Sequence, residues 1–335
     1  MVFSKTAVAR RLFMVLSPRS LPYARIGLKS LLSNALEPVD LCLITDSVAD
    51  QALLLQETAS YEFSNTHRCT IFAQGDLDAR ADEMFGAYPN LRRFRDGHPC
   101  WRKITDPLLL SAGDDEIIVL DPDLYFPNKF AFEPTPAQGL LLMWQRPNCL
   151  LPSAIVNAAM RQGIPLAHHV DIGVAHWRAR VDLEWLEWLL GRLGVENYSN
   201  AKFIMHIEAI VWAAIAMHVG GGYLAPGYWH CWRRSQRVRL LRRLHVPGPQ
   251  LLRHESFSTM KCFHAGGEAK YWLQEAAERG WLNSDKSLDE AGAVLPFSEL
   301  TPGAYRRDQA IKSSLRRVGY YNLFSSRALQ STTTE

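Results

Sequence analysis

The sequence predicts an α/β fold: a mostly parallel central sheet flanked by helices. Two patterns predict it. Short apolar runs alternate with stretches whose apolar residues recur at i, i+3, i+4 and i+7, the stripe of a helix lying on a sheet. The apolar runs are also nearly uninterrupted, as strands covered on both faces require. With 335 residues, 47% hydrophobic and 21% charged, the chain can bury one large core.

The elements follow in order. Leu12-Phe-Met-Val-Leu16 reads as a buried strand closed by Ser17-Pro18, and Tyr23 to Leu36 as a helix through Leu28, Leu31, Leu32 and Ala35. Val39 to Ile44 is the second strand, Val48 to Thr58 the second helix, and Cys69 to Phe72 a third strand. A helix over Arg102 to Ser111 leads through a Gly-Asp-Asp turn into the strand Glu116 to Leu120, which ends at Asp121-Pro122-Asp123. Strands at Leu140 to Trp144 and Val170 to Val174 follow, with a helical stretch between them. Helices come next near Leu183 to Leu193 and Ile207 to Met217. Beyond Trp281 long apolar runs are fewer, and the sequence there reads as peripheral.

Parallel sheets bind ligands beyond the carboxyl ends of their strands, so the loops after Leu16, Ile44 and Leu120 are where a site belongs. Residues i and i+2 of an extended chain point the same way, so Asp121 and Asp123 can approach one ligand together. Two adjacent carboxylates raise a pKa unless a cation or hydrogen bonds intervene, and Mn²⁺ or Mg²⁺ prefers such oxygens. The competing reading is a turn cap, since Asp-Pro-Asp is also turn chemistry. Far downstream lies Phe263-His264-Ala265-Gly266-Gly267-Glu268-Ala269-Lys270-Tyr271-Trp272. An imidazole suits Mn²⁺, the glycines allow backbone N–H groups to approach a diphosphate, and Lys270 adds positive charge.

Together these pieces resemble the retaining GT-A glycosyltransferases of family 8, the glycogenin and lipopolysaccharide galactosyltransferase group. The resemblance rests on three places. They are the opening strand with Leu28-Lys-Ser-Leu-Leu32, the Lys103 helix leading to Asp-Pro-Asp, and His264-x-x-Gly267-x-x-Lys270-x-Trp272. Tyr271 stands where the family has proline, Asp171-Ile172-Gly173 stands for its Asn-x-Gly, and Ser17-Pro18 lacks its acidic base-reading residue. The resemblance implies a GT-A, Rossmann-like domain whose residues 10–130 bind the nucleotide sugar and whose residues 131–285 bind the acceptor. Residues 286–335 form a peripheral tail in this scheme.

It further implies Asp121, Asp123 and His264 as metal ligands, and Lys103, Asp121, Gly266, Gly267 and Lys270 as donor contacts. Asp171, Glu208 and Lys270 are the catalytic candidates, with Glu208 also readable as a helix residue paired to a cation. The implied reaction moves a sugar with retention from a UDP-sugar to a carbohydrate, glycolipid or protein hydroxyl, in surface polysaccharide or glycolipid synthesis. Rival readings are a nucleotidyltransferase, whose glycine-rich loop Ser17-Pro18-Arg19-Ser20 lacks, and a sugar-nucleotide-binding protein without turnover.

The formal charge of +3 gives no reason to expect nucleic acid as a partner. Six cysteines without a CxxC spacing predict a reducing, cytoplasmic compartment. Residues 232–245 carry Arg233, Arg234, Arg237, Arg239, Arg242 and Arg243, and Arg306, Arg307, Lys312, Arg316 and Arg317 follow later. The basic stretch is either a solvated face or a peripheral contact with an anionic membrane. Trp229 and Trp232 are candidates for acceptor stacking or packing. Trp185, Trp188, His168 and His169 read as structural.

Overall fold

The computed structural model describes residues 9–320 apart from 62, 64, 65, 195–202, 234 and 283, so Arg234 and the tail after 320 lie outside the described residues. The chain opens with β1 (Arg10–Val15), α1 (Leu21–Asn34), β2 (Val39–Thr45), α2 (Val48–Thr58) and β3 (Arg68–Ala73). Next come α3 (Asp78–Phe85), α4 (Pro89–Asp96), α5 (Arg102–Leu109), β4 (Glu116–Leu120), β5 (Leu124–Tyr125) and β6 (Lys129–Phe130). The middle holds β7 (Leu140–Trp144), α6 (Ser153–Arg161), β8 (Val170–Arg178), α7 (Leu183–Leu193), α8 (Ile207–Val219) and β9 (Gly221–Tyr223). The remainder is β10 (Trp229–Cys231), α9 (Gln236–Arg243), α10 (Gly248–Leu252), β11 (Cys262–His264), α11 (Leu273–Glu278), β12 (Ser287–Leu288), β13 (Leu295–Pro296) and α12 (Pro302–Arg317).

The central sheet has eight strands in the order β13-β9-β7-β8-β4-β1-β2-β3. Strands β4, β1, β2 and β3 run parallel, as do β7 and β9; β8 is antiparallel to both neighbours, and β13 closes the edge antiparallel to β9. Strand alternation divides the core in two. Leu12, Met14, Leu41, Leu43, Ile118 and Leu120 face one side with Leu28 and Leu31 of α1. Phe13, Cys42, Ile44, Ile117 and Val119 face the other, against α3, α4, α5, α7 and α8. Burying both faces is why these strands read as continuous apolar runs.

Helix α2 starts where a cap is present: the Ser47 hydroxyl accepts from the Asp50 N–H at 3.1 Å. Helix α1 packs so closely on β5 that a Cβ at Gly27 would run into the Leu124 carbonyl. That approach fixes the chain immediately after Asp123. The segment after 286, expected at the periphery, is tied in more closely than that. Strand β13 extends the central sheet, β12 pairs with β6, and Leu300 and Tyr305 are each only 3% exposed.

Candidate active site

The site forms where the central sheet meets a second, three-stranded one of order β10-β11-β5. Strand β4 delivers Asp121 at its carboxyl end, and the Asp121 N–H donates to the Gly173 carbonyl at 2.8 Å, fastening the turn to β8. The chain then enters β5, which pairs antiparallel with β11 so that His264 lies opposite Leu124. The Ala265 N–H donates to the Asp123 carbonyl at 2.9 Å. Backbone pairing thus brings His264 beside the aspartate pair.

One oxygen of Asp121, one of Asp123 and a nitrogen of His264 lie within 4.8 Å of one another. His264 Nε2 is 3.2 Å from Asp123 Oδ1 and 3.8 Å from Asp121 Oδ2. Its Nδ1 is 2.7 Å from Asp171 Oδ1, which orients the ring. Lys270 Nζ is 3.7 Å from Asp123 Oδ2. On the other side, Lys103 of α5 pairs with Asp121 and lies 3.1 Å from Glu208 Oε2 of α8, whose Oε1 accepts from Trp212 Nε1 at 3.1 Å.

The charges are strongly coupled. Burial would raise the Asp123 carboxyl, but His264 and then Lys270 outweigh it and hold it down to about 2. Burial also works against the charged form of His264, yet Asp171 and Asp123 raise its pKa well above the ordinary value. Burial pushes Glu208 up to about 8 against the pull of Lys103. Burial and the neighbouring Asp123 push Asp121 upward, against Lys103. Two close carboxylates and one imidazole form a donor set that fits a divalent cation, with Mn²⁺ the natural match for mixed oxygen and nitrogen ligands.

A cavity of about 450 Å³ opens over this cluster, lined by Lys103, Asp121, Asp123, Asp171, Glu208, His264, Gly266, Gly267 and Lys270. All nine sequence-derived candidates therefore border one space. An adjoining hollow of about 220 Å³ reaches Ser17, Ser20 and Tyr23 and shares Lys103, Asp121, Asp123 and Lys270. Gln145, Cys149 and Cys231 also line the larger cavity, and nothing in their local sequence marks them. Trp232 lines it too, 7% exposed, with its ring edge-on to Trp272.

Other residues are resolved as packing. Trp229, fully buried, sits among Phe130, Phe132 and His176 and does not reach the cavity. Trp185 stacks on His218 at 3.8 Å, and His168 stacks on His169 at 3.6 Å. In α9, Arg242 turns inward over Trp272, whereas Arg237, Arg243 and Leu240 are exposed.

Gly173 is needed for the cluster itself. A Cβ there would lie 2.6 Å from His264 Nδ1 and 3.0 Å from Asp171 Oδ1. Gly173→Ala is therefore expected to tilt the imidazole and weaken Mn²⁺ binding roughly 10–100-fold without unfolding the chain. Electron paramagnetic resonance of free Mn²⁺ measures this. Unchanged affinity would show that ring orientation does not govern the site.

No protein-family model matches the chain, and no curated protein matches it. Among solved structures it is similar to mouse xyloside xylosyltransferase 1 in its apo form, with TM-score 0.48, 13% identity, and coverage of 78% of this chain and 99% of that one. It is also similar to the galactosyltransferase LgtC in complex with donor and acceptor sugar analogues, with TM-score 0.43, 13% identity, and coverage of 81% and 92%. A third is the apo glycosyltransferase GlyE of Streptococcus pneumoniae, with TM-score 0.43, 10% identity, and coverage of 83% and 61%. At such identities and TM-scores the likeness is one of chain path alone. The chemistry of the site rests on this chain's own residues.

Proposed function

We propose that the chain is a divalent-cation-dependent glycosyltransferase that moves a sugar from a nucleoside-diphosphate sugar, of the UDP class, to an acceptor hydroxyl. The observation that carries this reading is the convergence of Asp121, Asp123 and His264 beside Lys270, at the carboxyl edge of the sheet. Asp121, Asp123 and His264 would hold Mn²⁺ or Mg²⁺, which when bound supplies positive charge against the departing diphosphate. Lys270 adds a fixed charge at the same place, and Gly266 and Gly267 keep the approach free of side chains. The smaller hollow suits the nucleoside and the larger the sugar and acceptor, since the two meet at Asp121 and Asp123.

Asp171 acts through His264, whose ring it orients. Lys103 balances Asp121 and Glu208, and the Lys103–Glu208 pair borders the larger cavity, where it can meet sugar hydroxyls. Retention of configuration and a role in surface polysaccharide or glycolipid synthesis follow from the family resemblance.

A thermal-shift screen of UDP- and GDP-sugars with and without Mn²⁺ tests the reading. A ligand at 100 times its Kd stabilises by about 2.7 kcal/mol, so one UDP-sugar should raise Tm by several degrees, and only with Mn²⁺. No shift with any donor would sink the proposal. Release of UDP on longer incubation separates turnover from binding alone.

Among the described residues, no helix is long and apolar enough to cross a membrane. Leu240 and Leu244, 52% and 64% exposed, beside exposed Arg237 and Arg243 support a peripheral contact with an anionic bilayer. Each arginine contributes about 1 kcal/mol near such a surface. Arg237→Gln with Arg243→Gln should weaken co-sedimentation with phosphatidylserine vesicles roughly 30-fold. Equal binding by the double variant removes this contact.

A further inference from the structure

His264 faces two different ligand sets. Its Nε2 looks toward the Asp121 and Asp123 carboxylates, while its Nδ1 looks the opposite way, toward Asp171 and Cys231. The Cys231 sulfur is 3.8 Å from Nδ1 and 3.2 Å from Asp171 Oδ2, and Nδ1 is 2.7 Å from Asp171 Oδ1. A sulfur, a nitrogen and an oxygen thus lie within 4.8 Å of one another, a second such cluster in the same cavity. Gln145 Oε1, 3.1 Å from the same sulfur, offers a further oxygen.

Tetrahedral zinc with ordinary bond lengths separates its ligand atoms by roughly 3.3–3.6 Å. The two sulfur distances are already close to that. Only the His264–Asp171 contact, a hydrogen bond here, has to open. The donors also differ in kind from the first set. Thiolate with imidazole selects zinc-like cations, whereas two carboxylates with an imidazole accept Mn²⁺ or Mg²⁺.

We propose that Asp171, Cys231 and Nδ1 of His264 form a second cation site, for a soft divalent ion of the zinc class, whose filling excludes a cation from Asp121, Asp123 and Nε2. The exclusion follows from the imidazole itself. A neutral ring has one lone pair, so ligation through Nδ1 leaves the proton on Nε2 and removes that nitrogen from the first set. Binding releases the Cys231 thiol proton and the Nδ1 proton to solvent. Without the ion, burial and Asp171 hold the thiol protonated, and its single hydrogen is donated to either Asp171 Oδ2 at 3.2 Å or Gln145 Oε1 at 3.1 Å. The exclusion, though not the new site, rests on the metal reading of the first set.

Co²⁺ added to the intact chain without nucleotide tests the site directly. The expected result is a near-ultraviolet thiolate-to-cobalt charge-transfer band that Zn²⁺ bleaches, retained in Cys149→Ser and lost in Cys231→Ser. In parallel, Zn²⁺ should release bound Mn²⁺ from the unaltered chain, and at least about 100-fold more Zn²⁺ should be needed with Cys231→Ser. Absence of the band, or its persistence in Cys231→Ser, overturns the site. Mn²⁺ and Zn²⁺ bound together overturns the exclusion. Failure of the chain to bind Mn²⁺ at all counts against the proposed transferase centre, and the cobalt band then still decides this site.

Discussion

Asp123→Ala is expected to lower Mn²⁺-dependent hydrolysis of the donor by about 10³-fold or more, while the chain stays folded. The side chain is buried, yet among the described residues its carboxylate has no partner outside the site: it meets His264 at 3.2 Å and Lys270 at 3.7 Å. Removing it also relieves repulsion with Asp121, which limits the cost to stability. Asp121→Asn should abolish activity too, but is a less clean test, because Asp121 is also the counterion of the buried Lys103. Bound Mn²⁺, released UDP and near-ultraviolet circular dichroism together read the effect. Full activity in Asp123→Ala would refute the metal assignment.

How far the sequence reaches depends on the length of the elements. The boundaries of α2 and α7 agree with those read from helical periodicity and those of β4 and β7 with continuous apolar runs, because each is long enough to carry a pattern. Strand β8 continues to Arg178, beyond the expected Val174, because His176 turns inward and breaks the apolar run. Strands β5, β10 and β11 have two or three residues each, too few for any period, so the small sheet was not foreseen. Trp229 lies in that sheet, which is why this candidate for acceptor stacking or packing is wholly buried. The candidate cation cluster was legible only because its pieces have recognisable local chemistry, an Asp-x-Asp and a His-x-x-Gly-x-x-Lys. Cys231 and Gln145 reach the same cavity through strand pairing alone, and no local spacing announces that.

The least legible feature bears most on stability. Lys261 has no exposed surface and Glu133 only 2%, and Lys261 Nζ lies 2.9 Å from Glu133 Oε1. The same oxygen accepts from Trp229 Nε1 at 2.9 Å, and Oε2 accepts from the Gly292 N–H at 2.9 Å. Lys261 also donates to the Ala131 carbonyl at 3.0 Å. One carboxylate therefore joins β10, the residue before β11 and the approach to β13. Glu133→Ala would strand a buried ammonium and two further donors, which costs about 3–5 kcal/mol. It should appear as a large fall in the urea midpoint. Glu133→Gln keeps the shape and an acceptor and should lose less. Glu133→Leu combined with Lys261→Met removes both charges and should recover much of the loss, since apolar replacement of a whole buried pair is often nearly neutral. An alanine variant within about 1 kcal/mol of the unaltered chain would mean that water reaches Lys261 and that the pair is not what holds β11, and His264 with it, in place.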